Sequence, residues 1–334
     1  MTLPYTDMEK SQMDRAEGRF AILANEFNQR LANFELPQIP TSLYEPIRYS
    51  LDAKGKRVRP ILLFLVGESL GASHEQLFPA ALAIELLHTF TLVHDDIMDK
   101  DTQRRGRPTL HIKWDDNTAI LAGDALMTLA FRTLMKTESR DINRIGVEFS
   151  QAMLEICEGQ AMDMEFEKRP FVGADEYLRM VGKKTGRLLG LSCVLGALIA
   201  DPASEYIDDL ADFGLKLGQA FQIQDDCLEI TSNEQKMGKS LFSDIAKGKK
   251  TFPVIQALDD LSIEERNEFL SFLKENSDDR AIIRSEFEKR AALEKSFSMV
   301  RKLLNEASNR LSKLPQNAQA GLTDFIQTIY LRQS

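Results

Sequence analysis

The sequence is poor in the residues that cross-link or interrupt a chain. Of its 334 residues, only 3 are Cys, 11 are Pro and 18 are Gly. The cysteines Cys157, Cys193 and Cys227 are too few and too far apart for a disulfide framework or a zinc site, so we expect a reducing, cytoplasmic location. The scarcity of Gly and Pro, together with little strand-like alternation, favours long helices.

An excess of positive charge is also missing. The chain has 42 Lys and Arg against 51 Asp and Glu, which gives a net charge of -9. A general nucleic-acid binder needs surplus cations for the phosphate backbone, so this balance argues against a nucleic-acid partner. Any anionic ligand must therefore be held by a local cluster of cations or by a metal ion.

Signals for export or membrane insertion are not evident. Residues 1–9 lack the cationic start and following apolar stretch that a signal peptide requires. The longest nearly uncharged run, residues 188–200, has about 13 residues where a membrane span needs about 20. We therefore expect no membrane span, and a buried helix at this run.

The most informative stretch is acidic. Residues 95–99, Asp-Asp-Ile-Met-Asp, close an apolar run over residues 80–93 that contains no Gly or Pro, which predicts the end of a buried helix. On a helix Asp95 and Asp99 share one face, and His88 lies in phase with Asp95. A lone His on an apolar face is more often a core residue, but this alignment favours a ligand. Because unpaired carboxylates there would be costly, we expect a hard divalent cation.

A second acidic cluster repeats the arrangement. Residues 225–229, Asp-Asp-Cys-Leu-Glu, place Asp225 and Glu229 four apart at the end of an apolar segment. Two such clusters predict a cage for several Mg2+ ions, which take one or two carboxylates each and complete their shells with water and substrate phosphate oxygens. The substrate is thus expected to be phosphorylated.

A third match to the pattern serves as an internal comparison. Asp208 and Asp212 are also four apart, and adjacent Asp pairs are common in so acidic a chain. On a helix, however, they lie about 100° and 140° away from the face that carries Asp225. We interpret them as solvated.

Two basic segments accompany the first acidic cluster. Residues 54–60, Lys-Gly-Lys-Arg-Val-Arg-Pro, precede an apolar run and form either a solvated loop, a polyanion patch or a fixed anion-binding loop at a helix start. Residues 100–108 follow the acidic cluster directly and contain adjacent arginines, whose planar fork suits phosphate. We favour phosphate binding for both.

Two more cationic segments lie in the second half. Residues 182–187, Gly-Lys-Lys-Thr-Gly-Arg, precede an apolar run, and residues 233–250 form a glycine-bearing segment that would suit a lid over a diphosphate. The cations exceed the need of one metal-bound diphosphate, which suggests a second anionic substrate. With a tunnel between apolar helices, this combination indicates the joining of prenyl units.

The order of these motifs resembles that of the trans-isoprenyl diphosphate synthase (polyprenyl synthetase) family, which elongates an allylic diphosphate with isopentenyl diphosphate. The resemblance covers about residues 45–330, with residues 1–44 an N-terminal helix and linker. The motifs that carry it are Gly55-Lys56-Arg57-Val58-Arg59-Pro60, His88, Asp95-Asp96-Ile97-Met98-Asp99, Arg104-Arg105-Gly106, Lys184-Thr185-Gly186, Phe221-Gln222-Ile223-Gln224-Asp225-Asp226, Gly238-Lys239 and Lys249.

The resemblance implies a role for each matching residue. Mg2+, about three ions per active site, would be bound by Asp95, Asp99 and Asp225, with Asp96, Asp226 and Glu229 in support. Isopentenyl diphosphate would be held by Lys56, Arg59, His88 and Arg105. The allylic diphosphate would be held by Arg104, Lys184, Lys239 and Lys249, with Thr185 and Gln222 near the developing carbocation.

The resemblance also implies the fold, the assembly and the reaction. We expect a single all-α domain over residues 1–334, a bundle of about a dozen helices around a central cavity, and a homodimer. The reaction would proceed by ionisation, condensation and elimination, without a protein nucleophile. Three positions depart from the family pattern: Lys54 stands where a second glycine is common, Glu229 replaces an aspartate, and Phe242 replaces a glycine.

Product length would be set by the depth of the tunnel. Each five-carbon unit gains about 4 kcal/mol of apolar burial, at about 0.8 kcal/mol per carbon, so only a physical wall stops growth. Phe90, about 7.5 Å along the helix from Asp95, is the predicted wall, with Thr91 beside it and Leu87 and Leu86 one turn further. The alternative is that Phe90 only packs in the core. An aromatic here resembles short-chain members, which favours a C20 product (geranylgeranyl) over C15 (farnesyl).

Two rival readings use the same acidic cluster. A class I terpene cyclase binds one diphosphate and carries an Asn/Asp-x-x-Ser/Thr-x-x-x-Glu motif, which does not follow Gln224, and it would give residues 54–60 no function. A non-catalytic subunit of a heteromeric synthase usually loses one acidic cluster, whereas both are present in this sequence.

Overall fold

The computed structural model describes residues 7–201, 205–231, 248–276 and 279–331. Within these ranges the chain is helical apart from its connections and one small hairpin. The hairpin pairs the two-residue strands β1 (Gln103–Arg104) and β2 (Arg107–Pro108) antiparallel. The prediction of an all-α fold is confirmed.

Seven helices precede residue 170, and their starts follow local capping chemistry. Ser73 and Gln76 form a reciprocal capping box at the start of α4, and Asp115 accepts from the backbone N–H of Thr118 at the start of α6. The helices are α1 (Asp7–Ala32), α2 (Thr41–Leu51), α3 (Val58–Ser69), α4 (His74–Met98), α5 (Leu110–Lys113), α6 (Asp116–Leu134) and α7 (Ile142–Glu167).

The second half of the described chain contains a π-helical turn. Gly182–Gly186 lies without a break between α8 (Ala174–Val181) and α9 (Arg187–Ala200), so the cationic segment is part of a helix and does not merely precede one. A π turn within an α-helix is frequently found at functional sites. The helices that follow are α10 (Ile207–Thr231), α11 (Phe252–Leu258), α12 (Ile263–Glu275), α13 (Arg280–Lys289), α14 (Ala292–Arg310) and α15 (Gln316–Leu331), with a 3-10 turn at Leu311–Lys313.

The chain divides into two compact units, each assembled from separate stretches. The first unit contains Met1–Phe149, Leu191–Ala211 and Arg310–Ser334. The second contains Ser150–Gly190 and Asp212–Asn309. The single domain over residues 1–334 stays a prediction.

Helix α4 forms the core of the first unit. It packs against α3 and α6, and α15 packs against α1 and α3. Helix α4 is long and apolar enough to cross a membrane, but 67% of its most apolar window is buried inside the protein. Such burial is typical of the core helix of a globular protein, and in the described ranges no other helix meets the same length and composition test.

Helix α11 is central to the second unit, where it packs against α8 and α13. Its residues Phe252, Val254, Ile255 and Leu258 are buried. The ring of Phe252 lies 5.3 Å from the ring of Tyr177, centroid to centroid, which joins the start of α11 to α8. This contact places the end of the cationic segment beside the π turn.

Candidate functional site

The first acidic cluster lies in the last turn of α4, as the sequence predicts. Asp95 and Asp99 are half-buried, and Asp99 closes the helix by donating its backbone N–H to the carbonyl of Asp95 at 2.8 Å. Asp96 is buried, with 5% of its surface exposed, and its Oδ1 accepts from Nε of Arg104 at 2.5 Å. Asp96 therefore holds Arg104, while Asp95 and Asp99 occupy the less buried side.

Arg104 is fixed within the loop that follows α4. Besides Asp96, its Nη2 reaches Oδ2 of Asp101 at 3.4 Å. Two carboxylates hold this one guanidinium, and β1 carries its backbone. Arg104, which is predicted to bind the allylic diphosphate, is thus ordered before the substrate arrives. This order lowers the entropic cost of binding.

The upstream basic loop is held by a buried ion pair. Arg57 donates to Glu85 of α4, and the two side chains are only 5% and 3% exposed. Arg57 also donates to Oδ1 of Asn28 at 2.9 Å and to the carbonyl of Ala53 at 3.1 Å. Its backbone is left-handed, with φ of 51°, and it precedes the first residue of α3. Such a conformation costs energy that the ion pair offsets.

Lys56 and Arg59 flank this anchored residue. Lys56 is exposed, while Arg59 is half-buried and its Nη1 lies 3.2 Å from Nε2 of His88 on α4. Burial, followed by the guanidinium groups of Arg59 and Arg105, holds the pKa of His88 well below its ordinary value. His88 is therefore neutral at pH 7, and its Nε2 accepts from Arg59.

The two basic loops of the first unit meet at Gly55. A Cβ placed on Gly55 would lie 2.8 Å from Nη1 of Arg105, so a larger residue there would displace the guanidinium. Arg105 has φ of 53° and lines an open cleft of about 470 Å³ with Arg104, Asp96 and Arg107. Burial lowers the pKa of Arg105 from its ordinary value, in part against the pull of Glu85. The loops thus bring the guanidinium of Arg105 against the backbone of the upstream loop, at the edge of a cleft that could hold an anion.

The predicted chain-length residues lie one to two turns before the acidic cluster. Phe90 is half-buried, and its ring packs edge-on against His94 with centroids 4.8 Å apart. The hydroxyl of Thr91 donates to the carbonyl of His88 at 2.8 Å, and Leu87 and Leu86 are fully buried. Phe90 is therefore more exposed than the leucines that precede it.

The π turn carries Lys184 and Thr185 of the second unit. The ammonium of Lys184 lies 2.6 Å from Oδ2 of Asp163 on α7. A Cβ on Gly159 would lie 2.8 Å from Cα of Lys184, so glycine is needed for α7 to approach the turn this closely. The hydroxyl of Thr185 donates to Oε1 of Gln222 at 3.2 Å. The three predicted residues Lys184, Thr185 and Gln222 are thus brought together.

Asp226 is the hub of this unit. Oδ2 accepts from the hydroxyl of Tyr177 at 2.5 Å and from the backbone N–H of Phe252 at 2.9 Å, while Oδ1 accepts from Nε2 of Gln222 at 3.2 Å. Burial and the neighbouring Asp226 raise the pKa of Tyr177 well above its ordinary value, so its hydroxyl stays a donor. Both oxygens of Asp226 accept hydrogen bonds from the protein, which fixes the orientation of this carboxylate; its role as a metal ligand or as a support stays a prediction.

The remaining residues of the second acidic cluster lie on α10. Asp225 is half-buried and Glu229 is buried. Lys249 is half-buried and lines a cleft of about 460 Å³ with Lys184, Thr185, Gln222 and Asp226. Lys239, Gly238 and Phe242, with most of the predicted lid, lie outside the described residues.

The donor chemistry of both clusters fits Mg2+. Asp95 and Asp99 in one unit, and Asp225 and Glu229 in the other, are pairs of oxygen donors spaced four apart along a helix. No group of three or more His, Cys, Asp or Glu side chains is arranged to hold a metal in the part of the chain that the structure describes. Carboxylate pairs with this spacing suit an ion that takes one or two carboxylates and completes its shell with water and phosphate oxygens.

Three residues of the site escaped the sequence reasoning. Arg57 anchors the upstream loop, Asp163 pairs with Lys184, and Tyr177 holds Asp226. Arg57 belongs to the basic segment of residues 54–60, and its place between Lys56 and Arg59 could have indicated a role in that loop. Asp163 and Tyr177 gave none, because a polar residue in an apolar helix has the same pattern whether it packs or positions a ligand.

Comparison with known proteins agrees with this geometry. A family model described as Polyprenyl synthetase matches residues 40–289. The geranylgeranyl diphosphate synthase of Sulfolobus acidocaldarius is 37% identical over 326 residues, which cover 94% of this chain and 98% of that protein. The geranylgeranyl diphosphate synthase of Methanosarcina mazei is 44% identical over 222 residues, 66% of this chain and 68% of that protein. The crystal structure of geranylgeranyl pyrophosphate synthetase from Pyrococcus horikoshii Ot3 matches with a TM-score of 0.85 and 34% identity, covering 97% of this chain and 99% of that one.

Proposed function

Because the chain belongs to the polyprenyl synthetase family of trans-prenyltransferases, which use isopentenyl diphosphate and an allylic diphosphate, we propose that it is a Mg2+-dependent geranylgeranyl diphosphate synthase. The observation that carries the proposal is the pairing, within each unit, of a carboxylate pair on a long helix with ordered cations. In the first unit Arg104 is held by Asp96, the residue next to Asp95, and in the second Lys184 and Asp226, the residue next to Asp225, line one cleft.

Each set of residues then has a task in the reaction. Lys56, Arg59, His88 and Arg105 bind isopentenyl diphosphate, and neutral His88 orients Arg59 by accepting its N–H. Arg104, Lys184 and Lys249 bind the allylic diphosphate, and Thr185 and Gln222 place oxygen dipoles near the carbocation. About three Mg2+ ions, when bound, neutralise the charge that builds on the leaving diphosphate. Asp95, Asp99, Asp225 and Glu229 supply the oxygens that hold them.

Chain length provides the test of the proposed product. Purified protein is incubated with isopentenyl diphosphate and dimethylallyl, geranyl or farnesyl diphosphate, and the products are separated by length. We expect a C20 product with Mg2+ and none with a chelator. Phe90→Ala should yield longer chains, because opening the tunnel restores about 4 kcal/mol of burial for each added unit. A C15 product from wild type would instead establish a farnesyl diphosphate synthase.

Phe78 offers a matched control for this variant. It is a half-buried phenylalanine on the same helix, about three turns before Phe90. Its ring packs against Phe27, with centroids 6.0 Å apart, in the core of the first unit. Phe78→Ala should leave product length unchanged. If Phe90→Ala also leaves it unchanged, the wall lies elsewhere and Phe90 is a packing residue.

A second copy of the chain is the partner proposed for the outer face of α6. Apolar side chains line this face over several turns, with exposed fractions of 42% for Ile120, 61% for Leu121, 42% for Phe131 and 46% for Met135. An apolar stripe of this kind marks an interaction surface. We expect wild type to sediment at twice the mass of one chain and Leu121→Glu to sediment as a monomer. Ile263→Glu, at an isolated residue that is 71% exposed, should remain dimeric.

The cysteines support a reducing, cytoplasmic location for the proposed enzyme. Cys157, Cys193 and Cys227 form no disulfide within the described ranges. Burial, followed by the neighbouring Asp226, raises the pKa of Cys227 to about 12, so its thiol is protonated at pH 7. Nothing in the proposed chemistry calls for a disulfide or a thiolate.

A further inference from the structure

The cleft of the second unit is lined by a threonine whose hydroxyl has no role in the proposed function. Its walls carry the ordered pair Lys184 and Asp163, the hub Asp226, and the segment of residues 249–251 that leads into α11. In this segment Thr251 lines the cleft and is buried, with 5% of its surface exposed. Its hydroxyl makes no hydrogen bond to any residue in the described ranges.

The position of Thr251 makes this lack of a partner unusual. Thr251 is the N-cap of α11, where a threonine hydroxyl ordinarily accepts from the second or third backbone N–H of the helix. Here the first helical residue, Phe252, donates its N–H to Asp226 at 2.9 Å, and the second, Pro253, has no N–H. The hydroxyl of Thr251 makes no capping bond to the third residue, Val254, either. The hydroxyl of Thr251 is thereby released from the task that its position normally gives it.

A buried hydroxyl without a partner costs free energy, which a hydrogen bond to a ligand in the cleft would recover. The charged side chains that line the same cleft indicate which kind of ligand the hydroxyl would bind. Lys184, Lys249 and Lys250 line the same cleft, and burial lowers the pKa of Lys250 while Glu167 opposes the shift. A hydroxyl in a cleft lined by half-buried ammonium groups fits a polyanionic oxygen ligand, to which it can donate.

The network behind Thr251 fixes the backbone at this wall of the cleft. Asp226 accepts from Tyr177 of α8 and from the backbone of Phe252, the residue next to Thr251. Any rotation of the segment would break the bond between Asp226 and Phe252, which is buried. The donor is therefore preorganised, as an efficient ligand for a charged group should be.

We propose that Thr251 is a further substrate-binding residue, whose hydroxyl donates a hydrogen bond to the diphosphate of the allylic substrate and of the released pyrophosphate. This inference rests on the proposed prenyltransferase function and adds a ligand to the same site. It also gives a role to the N-cap threonine of α11, whose hydroxyl does not cap the helix while Asp226 accepts the first backbone N–H.

The test compares Thr251→Val, which keeps the shape and removes the hydroxyl, with Thr251→Ser, which keeps the hydroxyl. Binding of inorganic pyrophosphate with Mg2+ is measured by calorimetry, and KM is measured for both substrates. Because a hydrogen bond to a charged group is lost, Thr251→Val should weaken pyrophosphate binding and raise the KM for the allylic diphosphate about ten- to a hundredfold. The KM for isopentenyl diphosphate should change less than twofold, and Thr251→Ser should restore most of the loss.

Thermal unfolding separates this role from a structural one. Removing a hydroxyl that has no partner should not lower the melting temperature of Thr251→Val. Thr137 provides the matched control, because its hydroxyl is also buried without a partner in the described chain but lies outside the cleft. Thr137→Val should bind pyrophosphate as wild type does.

Two results would overturn the assignment of Thr251. One is unchanged pyrophosphate affinity in Thr251→Val. The other is an affinity loss that follows a lower melting temperature and that Thr251→Ser does not restore. Failure of the wild type to condense the substrates would count against the proposed function alone, because pyrophosphate binding still reports on Thr251.

Discussion

Asp95→Asn is expected to lower kcat by about a thousandfold or more while leaving the fold at least as stable as wild type. Asparagine keeps the size of the side chain but removes the charge that holds Mg2+, and losses of this order follow when transition-state electrostatic stabilisation is removed. Asp95 lies in the last turn of α4, which contains no basic residue. A carboxylate there is repelled by the helix dipole by about 0.3–1 kcal/mol, so the substitution relieves that repulsion.

The chain contains its own control for this variant. Asp208 belongs to the third match of the acidic pattern, but it is exposed at the start of α10, where the helix dipole favours a carboxylate. Asp208→Asn should therefore keep full activity and lose a little stability, the reverse of Asp95→Asn. Activity at several Mg2+ concentrations and the melting temperature measure both effects. A fully active Asp95→Asn enzyme, or one that loses activity only through unfolding, would refute the metal role.

The parts of the site that could be predicted from the sequence are those that depend on local pattern. The helix ends at the two acidic clusters follow from local pattern: α4 ends at Met98 and α10 at Thr231, within about two residues of the clusters. The pairs four apart in the acidic clusters also needed only helical periodicity. Each of these depends on neighbours in the sequence, where the pattern carries the information.

Contacts between distant residues could not be read in the same way. The bond from Tyr177 to Asp226 spans 49 residues, and the pair of Lys184 with Asp163 spans 21. Sequence periodicity indicates that Asp226 lies near a helix end, but not that three protein groups donate hydrogen bonds to its carboxylate. The π turn at Gly182–Gly186 was missed for a related reason, because its extra residue is fixed by the close approach of α7 at Gly159.

Removing one member of the buried pair between Arg57 and Glu85 is expected to give the largest loss of stability in the first unit. In Arg57→Met the carboxylate of Glu85, which is 3% exposed, would remain buried without its guanidinium. Breaking a buried pair in this way costs about 3–5 kcal/mol, because the surviving charge stays desolvated. The free energy of unfolding in urea measures the loss.

The exposed pair of Arg30 and Glu75 is the matched control. Its two hydrogen bonds are 2.8 and 3.0 Å long, but the side chains are 36% and 77% exposed. Glu75→Gln should cost less than about 1 kcal/mol, since solvent screens such a pair. Equal losses in Glu75→Gln and Arg57→Met would contradict the claim that burial gives the inner pair its importance.

A double variant separates the contribution of this pair to protein stability from its contribution to substrate binding. Arg57→Met combined with Glu85→Leu removes both charges, so much of the lost stability should return. The left-handed turn at Arg57 would still lack its bonds to Asn28 and Ala53, and Lys56 and Arg59 would lose their fixed spacing. We therefore expect the double variant to fold but to keep a raised KM for isopentenyl diphosphate. Recovery of both stability and KM would mean that the ion pair only holds the core, and that the basic loop orders itself.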